Sequence, residues 1–193
     1  MQLTGILGVK ALQSLLSLGD RISDKILAGK PAEKPMAKEI ANYVKWSEMD
    51  GGLNKLHFIP VLTVVAAAHK EAIDSISASI TDQMECLAKK HRENLMLEEP
   101  RTNEVGDVEL YSRQPPLLYG IIIAQSMTIF VTLDSSNPEA KIRHLAHFDF
   151  KERNMNVWHG VALAIIVIVA RNYLISIKDE LEADNEDSSD PDA

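Results

Sequence analysis

Residues 117–133 read LLYGIIIAQSMTIFVTL, and how this stretch is divided decides the fold class. Ile, Val, Thr, Phe and Tyr dominate it, side chains that suit a pleated surface better than a helix. Gln125 and Ser126 interrupt it in the middle. A hairpin turning near Ala124 to Ser126 gives two strands of ordinary length, which one unbroken strand would not. Asp134-Ser135-Ser136-Asn137-Pro138 then reads as a turn, and Lys141 to Phe150 supplies a further strand. The spacing predicts a small antiparallel β-meander within 108–150, with an additional short strand at Val108 to Tyr111.

Helices flank this meander on both sides. Residues 5–28 place Ala11, Leu12, Leu15, Leu18, Ile22 and Ile26 in one arc at 100° per residue, with Ser14, Ser17, Asp20, Arg21, Asp24 and Lys25 opposite. Gly29 and Pro31 end that helix. A polar linker and a short helix from about Met36 to Met49 complete an N-terminal helical arm over 1–50. Next comes the longest regular pattern. Leu62, Val65, Ala66, His69, Ile73, Ile76, Ile80, Met84 and Leu87 share one face, so a long helix is expected within 53–97, beginning near Pro60. Its spacing is close to a heptad with one step out of place, which suits either a spine of the domain or a zipper against a partner.

The closing element spans Val157 to about Glu182 within 154–178 and beyond. Its run Ile165-Ile166-Val167-Ile168-Val169 is β-branched, yet no turn signal occurs from Val157 to Lys178, which favours a buried core helix over a central strand. The element order is α-α-α-β-β-β-α. The expected architecture is a single α+β domain over 1–178, with N-terminal helices, one long amphipathic helix, a β-meander and a buried C-terminal helix.

Charge is unevenly distributed. The chain has 193 residues and a net charge of −8, but the last sixteen hold eight of the 28 acidic residues and one of the twenty basic ones. Residues 179–193 are therefore expected to form an acidic disordered tail, in which Ser189, followed by Asp190 and Asp192, resembles an acid-directed kinase site. The remaining body is near neutral. Basic residues do not gather into a patch with interleaved aromatics, which argues against nucleic-acid binding. The single Cys86 excludes an internal disulfide framework. Lys10 interrupts the first apolar run and nothing basic precedes it, so a secretory signal is not expected and a cytoplasmic or nuclear location is. The uncharged core of 157–170 is shorter than a membrane span requires.

Few residues carry a chemical signal. His144-Leu145-Ala146-His147-Phe148-Asp149 would, on a strand, put His147 and Asp149 on one face. A histidine beside a carboxylate can act as a general base with its orienting group. Arg171 interrupts an apolar helix and must be paired or reach solvent, with Asp149, Asp134 and Glu152 as partners in view. Asp134, Glu139 and Lys141 resemble a fragment of the Asp…Glu-x-Lys core of restriction-type nucleases, but Asn137-Pro138 between them reads as an exposed turn rather than adjacent strands. No phosphate loop, dinucleotide fingerprint, nucleophile elbow or zinc-type spacing occurs, so neither cofactor nor metal is expected.

The functional expectation is a non-enzymatic interaction or assembly protein that binds a partner or itself through helix 60–92. Its interface residues would be Leu62, His69, Ile73, Ile76, Ile80, Met84 and Leu87. One alternative is a small hydrolase with His147, Asp149 and Arg171 in its site. Another is a peripheral membrane protein inserting the first helix through Leu12, Leu15, Leu18, Ile22 and Ile26. The mixed charge of that helix's polar face disfavours membrane contact.

Overall fold

The computed structural model describes residues 3–68, 71–102, 106, 108–152 and 154–187. Three helices come first, α1 (Leu3–Leu16), α2 (Leu18–Leu27) and α3 (Glu33–Asp50). Strand β1 (Leu62–Ala66) and helix α4 (Ile73–Leu95) follow. Strands β2 (Met96–Thr102) and β3 (Val108–Tyr111) form a separate hairpin. The meander is β4 (Leu117–Ala124), β5 (Met127–Asp134) and β6 (Arg143–Asp149), and the chain closes with α5 (Asn156–Ser176) and α6 (Lys178–Asp187). The fold is α+β.

The main sheet has the order β1-β4-β5-β6. The β4–β5 hairpin runs in unbroken register from Leu117 opposite Asp134 to Ala124 opposite Met127. Its two-residue turn is Gln125-Ser126, with Gln125 at φ 55°. Strand β6 pairs antiparallel with β5, with a bulge between Phe130 and Val131.

The long helix expected from Pro60 is corrected at its first third. Residues 62–66 are a strand, parallel to β4 and paired from Leu62 opposite Tyr119 to Ala66 opposite Ile123. Thr63, Val64 and Val65 are β-branched and lose rotamer freedom in a helix, whereas beside Ile121–Ile123 they gain a ladder and a packed face. Ala67 N–H extends that ladder to the Ile123 carbonyl at 2.8 Å. The true helix α4 starts at Ile73 and buries Ile76, Ile80, Met84, Ala88, His91 and Leu95 against the sheet. Gly120 on β4 allows that approach: a Cβ there would stand 2.7 Å from Val131 Cγ2 and 2.9 Å from Met84 Sδ.

The other sheet face is covered by α1, α2, α3 and the first part of α5. Leu15, Leu18, Ile22, Met36, Ile40 and Leu163 pack there with Ile121, Ile123, Phe130 and Phe150. Helix α1 lies directly against α5, where a Cβ on Gly160 would be 2.6 Å from the Leu15 carbonyl oxygen. The single helix expected over 5–28 is two helices, divided at Ser17.

At the other end, residues 178–187 are helical rather than disordered. Leu181 is buried in the α4-side core, and Glu180 pairs with Arg113. An apolar anchor and a charge partner hold a segment whose composition alone suggests solvation. The unexpected strand β2 pairs with β3 across a register shift. Ser189 lies outside the described residues.

Candidate functional site

Strand β6 delivers His147 and Asp149 to one end of the sheet, but each is engaged locally. His147 is exposed, its Nδ1 3.4 Å from His144 Nε2. The Asp149 carboxylate accepts from the Ser126 hydroxyl at 2.6 Å and from the Lys151 N–H at 2.9 Å. Burial works to raise its pKa, and these hydrogen bonds, with Lys151 and His159 nearby, outweigh burial and hold it below the ordinary 3.8. Asp149 thus closes a turn leading into α5.

Arg171 is on the same helix but far along it. Fifteen residues separate it from the start of α5 at Asn156, about 22 Å at 1.5 Å per residue. Its guanidinium Nη2 donates to Asp50 Oδ2 at 2.9 Å, joining α5 to the end of α3. Asp50 was not among the partners the sequence suggested. A small cavity of about 40 Å³ adjoins it, between Glu48, Phe58 and Leu174. Burial raises the Glu48 carboxyl above its ordinary value, and also raises the Tyr43 phenol, against the pull of Arg171. His147, Asp149 and Arg171 therefore do not converge on a reacting atom.

His159 is, with His91, one of two buried histidines among the described residues. It sits between the rings of Phe148 and Phe150, at centroid distances of 5.2 and 5.3 Å, with Glu152 Oε2 3.6 Å from its Nε2. Its Nδ1 has no hydrogen-bond partner. Burial lowers its pKa, opposed by Glu152 and Asp149. Asp149 is thus shared, acting on His159 and accepting from the Ser126 hydroxyl, and the serine donates to the aspartate rather than to the histidine, so no serine–histidine pair forms. Strand alternation pointed to His147 as the companion of Asp149; the helix that follows supplies His159 instead.

Asp134, Glu139 and Lys141 line an open cavity of about 510 Å³ together with Arg143. Asp134 Oδ1 accepts from the N–H and hydroxyl of Ser136, and Asn137 Oδ1 accepts from the Glu139 N–H. These are turn contacts. Among the described residues, no group of three or more His, Cys, Asp or Glu is placed to hold a metal ion.

The expected interface stripe is largely covered. Leu62 belongs to β1, Ile76, Ile80 and Met84 are buried against the chain's own sheet, and Leu87 is half-buried. Ile73, 82% exposed, is the first residue of α4 and stands off the packed face. His69 lies outside the described residues. The expected membrane or partner face of the first helix is also turned inward. Leu15, Leu18 and Ile22 are fully buried, and Leu12 and Ile26 pack against the same core.

The uncovered apolar surface is elsewhere. Helix α5 buries Leu163, Ala164, Ile166, Val167, Ala170 and Leu174, but exposes Trp158 by 65%, Ile165 by 56% and Val169 by 41%. Its neighbour α1 exposes Ile6, Leu7 and Val9. By length and composition alone, Val157–Ser176 is apolar enough to cross a membrane, and the fold itself buries 44% of its most apolar window. A helix apolar on every side carries no sequence mark of which side its own domain covers. Comparison with family models, curated proteins and solved structures finds no match to this chain.

Proposed function

We propose that this chain is a non-enzymatic interaction or assembly protein that docks through the uncovered side of α5. The observation that carries the reading is the exposure of Trp158, Ile165 and Val169 on the helix whose other side forms the core. Large apolar side chains grouped on one surface mark interaction sites more often than isolated ones do. Helix α1 separately exposes Ile6, Leu7 and Val9. The groups that suggested catalysis are occupied by turn contacts and by the Arg171–Asp50 pair, which leaves recognition as the better-supported role.

The test is a photo-crosslinking residue placed at position 165 of the full chain in its native cells, with a second chain carrying it at Lys89, exposed on α4. Covalent adducts at 165 and none at 89 are expected. No adduct at 165, or equal adducts at both positions, overturns the proposal.

A further inference from the structure

The geometry points to a binding site for a divalent transition metal, Zn²⁺ by its span, formed by His144 Nε2 and His147 Nδ1 at the β6 edge of the sheet. It is separate from the α5 face and does not rest on the docking role.

Three residues apart on a regular strand, two rings point to opposite faces. The bulge in β6 changes that count. His147 lies opposite Ile129 and Ala146 opposite Phe130, but the residue opposite Val131 is His144 rather than Leu145. Leu145 is therefore the additional residue, and the two histidines stand opposite β5 residues that are two apart. Ile129 and Val131 both face the α4-side core, so the bulge brings His144 and His147 to that same side. Helix α4 packs on β1, β4 and β5, and at β6, the last strand in the sheet order, both rings are exposed.

The facing ring nitrogens are 3.4 Å apart. A nitrogen donor ordinarily sits about 2.7–3.2 Å from its acceptor, so the span is long for a hydrogen bond between the rings. It fits a shared ion better. Two nitrogens at metal–nitrogen distances of about 2.0–2.1 Å from a tetrahedral centre stand about 3.3–3.4 Å apart. A cis pair on a square-planar ion would stand closer, at about 2.9 Å for the same bond length. The ring planes are inclined by 44° with centroids 5.4 Å apart, so the rings do not stack face to face.

The donor chemistry agrees with the span. A neutral imidazole carries one nitrogen lone pair, and either ring nitrogen can present it. Such ligands suit Zn²⁺, whereas Mg²⁺ and Ca²⁺ take oxygen ligands. Pairing with β5 holds the β6 backbone in place, so little ordering remains to be done when the ion binds. Two protein ligands leave two positions of a tetrahedral ion to water, which distinguishes this site from closed four-ligand structural zinc.

Calorimetric titration of the tag-free full chain with Zn²⁺ alone tests this, in a Cys86→Ser background that removes the exposed thiol. The chain should take up a single ion, and Mg²⁺ should not bind. His144→Ala and His147→Ala should each weaken uptake at least about tenfold, while circular dichroism and Tm stay unchanged. His57→Ala, at an exposed histidine elsewhere, should leave the affinity as it is. Nitrogen NMR of the imidazoles should show Zn²⁺ shifting His144 Nε2 and His147 Nδ1 more than the other nitrogen of each ring. No uptake of Zn²⁺, equal uptake of Mg²⁺, loss in only one of the two β6 variants, or an equal loss in His57→Ala overturns the inference.

Discussion

Arg171 Nη2 donates to Asp50 Oδ2 at 2.9 Å, and this one pair ties the core helix α5 to the last residue of α3. Both side chains are largely shielded, the Arg at 18% and the Asp at 33% exposure. Removing one partner leaves a poorly solvated charge, which costs more than the pair itself contributes.

Asp50→Asn should therefore lower unfolding free energy by about 1–2 kcal/mol, discounted for the exposure that remains. Arg171→Met in the same chain should restore part of the loss. Urea titration of both single variants and the double variant gives the coupling, and purely additive losses would contradict a direct pair.

Gly120 and Gly160 make different demands. At Gly120 the clashing atoms are the Val131 and Met84 side-chain ends, and at Gly160 they are Leu15 and Leu16 backbone. Gly120→Ala should cost about 1–3 kcal/mol, and its further cost should be smaller in a Met84→Ala background, which is itself destabilised. Gly160→Ala should cost at least as much, with no single side-chain rescue, because α1 itself must move. Equal rescue of both by side-chain truncation would overturn the distinction. The measurement is the denaturation midpoint of each variant.

Acid should weaken the fold in two stages. Burial lowers the pKa of both His91 and His159 from the ordinary 6.5. The unfolded chain then binds protons that the folded one refuses, so stability is complete above about pH 6.5 and falls as pH drops through the folded-state values. Asp149, held below 3.8, adds stability that is lost only at lower pH. Urea midpoints from pH 8 to pH 3 should show the first decline starting near 6.5. His159→Phe, which keeps an aromatic ring between Phe148 and Phe150, should flatten it; an unchanged slope would exclude His159 as a source.

Gln125 holds a left-handed conformation at φ 55° in the two-residue turn between β4 and β5. Gly adopts that conformation without a Cβ penalty, so Gln125→Gly should raise stability by about 1 kcal/mol. A drop in Tm in a thermal melt would mean that the glutamine side chain contributes more than the strain removes.

The parts of the fold that sequence revealed are those specified locally. In 117–133 the β-branched runs, the polar Gln125-Ser126 break and normal strand lengths all agree, and the hairpin forms there in register. Residues 62–66 misled because Leu62, Val65 and Ala66 fit the helical stripe of 73–87 while Thr63, Val64 and Val65 also suit a strand. Their pairing with Tyr119–Ile123 lies more than fifty residues away, beyond the reach of periodicity. The candidate site was less visible. His147 and Asp149 are correctly on one strand, but Asp149 is used by Ser126, and Arg171 is paired at the far end of α5. Exposure of Trp158, Ile165 and Val169 depends on where α1, α3 and the sheet cover α5, which is a tertiary property.

The seat of α1 on Gly160 also sets an order of assembly. Leu15 and Gly160 are separated by most of the chain, and the core they share includes strands from the middle of it. On a ribosome, α1 emerges long before the surface it rests on. Its buried Leu15 must wait, shielded or solvated, until α5 has left the exit tunnel, so this domain closes late in its own synthesis.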